Sequence, residues 1–103
     1  MTSEPYRVDI KLKHPKATVS QVHLAPGQST PEHTHAHGYV VHPRAATRLR
    51  KVTKKGDQVI STEEIEHKPD EPYFVGASED GTSFTLTNIG NGPMLCEKTF
   101  IYK

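Results

Sequence analysis

Apolar and polar residues alternate with a period of two along most of the chain, the period of pleated strands whose successive side chains face opposite ways. Val8, Ile10 and Leu12 lie on one face of the segment opening at Tyr6, with Arg7, Asp9, Lys11 and Lys13 on the other, which predicts a half-buried strand. A turn at His14-Pro15-Lys16 leads into a second strand from Ala17 to Leu24, with Val22 and Leu24 inward and Val19 out of phase, the mark of a bulge. Ala46 to Thr53 alternates again, with Leu49 between Arg48 and Arg50, and Lys54-Lys55-Gly56-Asp57 reads as the hairpin that returns it. Val59 to Thr62 is a short strand, and Pro69-Asp70-Glu71-Pro72 turns into Tyr73-Phe74-Val75. Ser78-Glu79-Asp80-Gly81 is another turn, before a strand that holds Thr82, Phe84, Leu86 and Asn88 in one phase. Asn88 to Pro93 then turns the chain into a closing strand from Met94 to Tyr102. The pattern predicts an all-β protein.

Composition narrows this picture. A chain of 103 residues suits one domain, 1–103, with a single core. Only 33% of residues are apolar and tryptophan is absent, so the core is expected to be thin. Dimerisation, with the N-terminal strand of residues 1–16 at the interface, is the expected supplement. No apolar run approaches the length that crosses a bilayer, and Met1 to Tyr6 lacks the features of a signal peptide. The expectation is a cytoplasmic protein without a membrane partner. Cys96 is the one cysteine, so no intramolecular disulfide or cysteine-based zinc site forms, and a partly buried strand position is its simplest role.

Charge is close to balanced, at +1 with histidines neutral. Six basic residues lie between Arg44 and Lys55, with no aromatic side chain among them for base stacking, and a nucleic-acid partner is not expected. The following segment is acidic, with Asp57, Glu63, Glu64, Glu66, Asp70 and Glu71, and pairing of the two runs across strands or between subunits is the natural outcome.

Candidate chemistry is concentrated between Pro26 and Pro43, where four of the seven histidines lie: His33, His35, His37 and His42. Leaving the turn signalled by Gly27 and Pro31 in extended conformation, the chain would place His33, His35, His37 and Tyr39 on one side. Neutral imidazoles at i and i+2 can converge on one divalent ion, Zn, Ni, Mn or Fe, with His33 and His35 the first members and His37 or Tyr39 as further donors. His42 and His67 are read as strand-edge or loop residues.

The spacing Gly27, five residues, His33, one residue, His35 resembles the first motif of the cupins, and Tyr39-Val40-Val41-His42-Pro43 resembles the small single-domain bacterial cupins grouped with β-alanine degradation. Gly81, Phe84 and Asn88 are similar to the second motif of that family. The resemblance spans roughly residues 17–102 and implies an antiparallel cupin-type β-barrel, a double-stranded β-helix of the RmlC-like, jelly-roll kind. It also implies a metal held by two histidines, a glutamate and a later histidine. Here Tyr39 stands at the glutamate position and Phe84 at the later histidine. Glu79 replaces the proline ahead of Gly81, and Arg44-Ala45-Ala46-Thr47 lacks the glycine expected in that bend.

Three functions follow. The first is a cupin that binds a small polar molecule in the barrel mouth, lined by His33, His35, His37, Tyr39, Tyr73 and Phe84, with or without a divalent metal. The second is a metal-dependent enzyme of the dioxygenase or isomerase kind. The third is a non-catalytic, oligomerising interaction domain. No residue is assigned a catalytic role.

Overall fold

In the computed structural model, which describes residues 6–102, eight antiparallel strands form two facing sheets. They are β1 (Tyr6–His14), β2 (Ala17–Leu24), β3 (Tyr39–Pro43), β4 (Thr47–Lys55), β5 (Gln58–His67), β6 (Tyr73–Val75), β7 (Thr82–Asn88) and β8 (Met94–Ile101). Five form one sheet in the order β1-β2-β8-β3-β6, and three form the other in the order β5-β4-β7. Each expected strand is present, β5 being much longer than its apolar content suggested. Its exposed residues lie opposite the basic face of β4, Arg48 against Glu66 and Arg50 against Glu64. Cross-strand charge matching supports a pairing that apolar alternation alone does not reveal.

The core lies between the sheets. Val22, Leu24, Tyr39, Val41, Met94 and Cys96 face it from the five-stranded sheet, and Leu49, Phe84 and Leu86 from the three-stranded one. Leu49, between two arginines, is buried, as the alternation requires. The bulge signalled by Val19 falls on its neighbour: Ile10 pairs with Ser20 and Leu12 with Val19, which leaves Lys11 as the extra residue in β1.

The first strand alternates as expected but is not half-buried. Val8, Ile10 and Leu12 are 45%, 61% and 52% exposed. The reason is architectural. Val8 and Ile10 share the inward face of Val22 and Ser20, yet β1 is the edge of a five-stranded sheet packed on one of three strands, and an open hollow separates them from Thr34 to His37; past the bulge, Leu12 pairs with Val19 and faces outward.

The segment from Ala25 to Gly38 lies along the outer edge of β7 and gives the histidines their place. Gly27 donates to the Asn88 carbonyl at 2.8 Å and Thr30 to that of Leu86 at 2.8 Å. His33 and Phe84 exchange backbone hydrogen bonds of 3.0 and 2.9 Å. Asn88, wholly buried, locks this edge to the next turn: its amide donates to the carbonyls of Leu24 and Gly92, and its Oδ1 accepts from Thr47 and from the Gly90 backbone.

Candidate functional site

His33 and His35 are brought together, and His37 is not. The edge pairing with Phe84 fixes His33, while the Ser78 N–H bonds the His35 carbonyl at 2.9 Å and the Ser78 hydroxyl accepts from the His35 N–H at 3.1 Å. The two imidazoles meet edge to face with centroids 4.9 Å apart. A bend at Ala36–His37 then interrupts the extended run, so His37 drops out of the expected face of four while Tyr39 rejoins it. The His37 ring is exposed and lies against Tyr102, with centroids 5.0 Å apart. The pair instead meets Tyr39 and Phe84: His35 is 4.8 Å from the Tyr39 ring and His33 is 4.3 Å from that of Phe84.

Tyr39, Tyr73 and Phe84, expected in one pocket, do line one cavity inside the barrel. It is small, about 20 Å³, with Val41, Leu49, Ile65, Leu86 and Met94 giving it apolar walls. Its polar groups are Lys51, His67, Tyr73, Cys96 and Lys98, three of which sequence reasoning passed over. His67 is no loop residue: it ends β5 at 1% exposure, with Nε2 2.6 Å from the Tyr73 hydroxyl. Lys98 is 7% exposed, its ammonium 5.3 Å from the Tyr39 ring centroid, and the ammonium of Lys51 lies 4.6 Å from that of Phe84. The signal for both lysines was their phase. Lys98 shares the inward face of β8 with Met94 and Cys96, and Lys51 that of β4 with Thr47 and Leu49. A lysine on an apolar phase is a buried cation in waiting.

A larger cleft of about 250 Å³ shares Lys51, Val75 and Phe84 with this cavity and is otherwise lined by Thr53, Ile60, Gly76, Ala77, Ser78, Glu79 and Thr82. Burial governs the protonation states. It pushes His67 and His35 down to about 4, with the field of Lys98 adding to both, and lowers His33 against the opposing hydrogen bond to Pro31. Burial also lifts the Tyr39 phenol to about 12 and the Cys96 thiol to about 11, and raises Tyr73. At neutral pH the site therefore holds neutral imidazoles, neutral phenols and an inert thiol beside two lysines.

That donor set falls short of what a divalent ion requires. Stable sites offer three or four ligands, and no group of three His, Cys, Asp or Glu side chains suited to a metal occurs among the described residues. His33 Nδ1 lies 2.7 Å from the Pro31 carbonyl, to which it donates when protonated, and this leaves Nε2 as the ligand nitrogen. The positions that would complete the shell hold a phenol that stays protonated and the hydrocarbon ring of Phe84. Lys51 and Lys98 add positive charge around those same two rings. The residues present do not suit a resident cation.

No protein-family model matches the chain, and no curated protein does. Solved structures do. A cupin domain from Bordetella pertussis Tohama I superposes with a TM-score of 0.79 at 16% identity, covering 100% of this chain and 99% of that one. The fold is the cupin double-stranded β-helix. An RmlC-like cupin family protein from Methanocaldococcus jannaschii matches with a TM-score of 0.69 at 12% identity over 96% of this chain and 82% of that one. The cupin domain of an XRE family transcriptional regulator from Enterobacter cloacae matches at 0.68 and 18% identity, over 97% and 99%. At such identities the likeness concerns the cupin barrel and not its chemistry. No helix of the described chain is long and apolar enough to cross a membrane.

Proposed function

We propose that this cupin barrel binds a small polar molecule at the end where the inner cavity meets the cleft beside Lys51, Val75 and Phe84. The observation that carries the reading is a buried nitrogen without a partner among the described residues, His67 Nδ1 in the cavity wall; a second, His35 Nε2, lies in the imidazole pair. A buried polar atom left unpaired costs on the order of 1–3 kcal/mol, and a bound ligand or water removes that cost. An oligomerising domain needs neither such atoms nor a buried ammonium in its interior. A metal-dependent dioxygenase or isomerase needs donors that the site does not supply, so binding is preferred to metal chemistry.

The dimer belongs to the same proposal. β1 presents nine residues of edge backbone and exposed apolar side chains at Val8 and Ile10 on one face, and a second copy pairing there would bury both at once.

Thermal-shift titration of the purified protein with small acids, amides, amines, sugars and nucleosides tests the binding function. At least one class should stabilise the fold saturably, and Thr53→Trp, which fills the cleft, should abolish the effect. If no class stabilises it, or the response survives in Thr53→Trp, the reading is wrong.

A further inference from the structure

Lys98 is the least comfortable residue in the barrel. Its side chain is 7% exposed, and among the described residues no carboxylate lies within 4.0 Å of its ammonium. Burying a charge without a counter-charge is among the most unfavourable arrangements a fold can contain. The Tyr39 ring recovers part of that cost, as Phe84 does for Lys51. Lys51 projects from the other sheet into the same cavity, whose walls contain no Asp or Glu. Two like charges in one apolar space repel, and both burial and the field of Lys51 weaken the hold of Lys98 on its proton. Substituting an apolar residue for Lys98 would relieve all of this. A protein that keeps such a group has an occupant of opposite charge to gain.

Resting on the binding function above, we propose that the cavity between Lys98 and Lys51 is a carboxylate site, and that the ligand is a small organic monocarboxylate. One oxygen of its head fits the inner space of about 20 Å³, which holds little more than one water-sized group, and the rest of the head lies at the mouth of that space. A body of a few carbons lies outward, past Val75 and Phe84, in the cleft of about 250 Å³. In the tautomer with its proton on Nδ1, His67 accepts from the Tyr73 hydroxyl at Nε2, and its otherwise unpartnered Nδ1–H is free to donate to the carboxylate. The two ammoniums complete a charge-assisted set. Glu79 is the one acid on the cleft wall and disfavours a second carboxylate on the ligand. The positive charge that makes the site poor for a divalent cation makes it good for this anion.

The test is calorimetric and thermal-shift titration of the full chain, in buffer low in other anions, with acetate and butyrate and with their neutral counterparts acetamide and butyramide. The acids should stabilise the protein saturably and the amides should not. Lys98→Met should weaken carboxylate binding by at least about thirtyfold, the effect of removing one side of a buried charge pair. The same substitution should raise the melting temperature of the ligand-free protein, because it removes an unpaired buried charge. Lys51→Met, at a half-buried position, should fold as the parent does and weaken the acids about tenfold.

Equal response to acids and amides, or undiminished acid binding in Lys98→Met, overturns the carboxylate site while leaving small-molecule binding in place. A ligand-free Lys98→Met that melts lower makes Lys98 a structural residue and overturns it too. Silence from all four compounds, joined by silence from the wider panel, overturns both.

Discussion

Removing the side chain of Asn88 should be among the most damaging changes this protein can suffer outside its apolar core. The residue is 0% exposed and makes four side-chain hydrogen bonds: to the Leu24 and Gly92 carbonyls, each at 2.9 Å, and from Thr47 Oγ1 at 2.9 Å and the Gly90 N–H at 3.0 Å. These join the end of β2, the start of β4 and the turn before β8, so one amide holds both sheets at this end of the barrel. Asn88→Ala removes four bonds worth about 1 kcal/mol net apiece, for a loss of roughly 3–4 kcal/mol. Part of the Gly92 carbonyl's demand is still met, since Thr47 donates to it as well at 3.2 Å. In a domain of this size that loss lowers the melting temperature by roughly 15–25 °C. Denaturation followed by circular dichroism gives the free energy directly, and the four tyrosines serve as fluorophores in the absence of tryptophan. Thr47→Val should cost about 1 kcal/mol alone, and the double variant should be less destabilised than the sum by roughly 0.5–1 kcal/mol. A loss below about 1 kcal/mol for Asn88→Ala would refute the idea that this amide clamps the barrel.

The remaining predictions concern packing, pH, metal and association. Gly90→Ala should destabilise by about 2 kcal/mol or more, because its Cβ would collide with Thr47 Oγ1 and come within 3.0 Å of the Arg48 backbone nitrogen; Gly38→Ala should cost less, since the ring it meets belongs to Phe74, 70% exposed and free to swing, and the one backbone atom near it is the Val75 carbonyl oxygen at 3.3 Å; paired melting curves compare them. His67, held neutral by burial with its folded value near 4, binds fewer protons folded than unfolded between that value and 6.5. Its contribution is therefore complete above pH 6.5 and declines as pH falls towards 4, by about 3 kcal/mol at most, and His67→Phe should flatten this part of a stability-against-pH curve. Elemental analysis after expression in metal-rich medium should find well under one equivalent of zinc, nickel, manganese or iron; a full equivalent lost in the His33→Ala, His35→Ala double variant would restore a metal site. Ile10→Lys should yield monomers in sedimentation experiments at concentrations where the parent is dimeric, and an unchanged oligomeric state would remove β1 from the interface.

What local pattern determined, the sequence carried alone. Period-two alternation gave the strands, and glycine, proline and Asx residues the turns; Gly27, Gly56 and Gly81, three of the glycines expected in turns, adopt positive φ values of 78°, 61° and 77°. The motif spacing pointed to the cupin barrel and put His33 and His35 together, because residues two apart on an extended chain share a face whatever surrounds them. Tertiary structure decided the rest. Whether the apolar face of β1 is covered depends on how many strands the opposing sheet has, which no window of β1 contains. His37 leaves its neighbours at a bend that the segment's own alternation does not register. The character of the site depends on Lys51, His67 and Lys98, drawn from three strands in two sheets, and a charge becomes unusual only when folding has taken the water away from it.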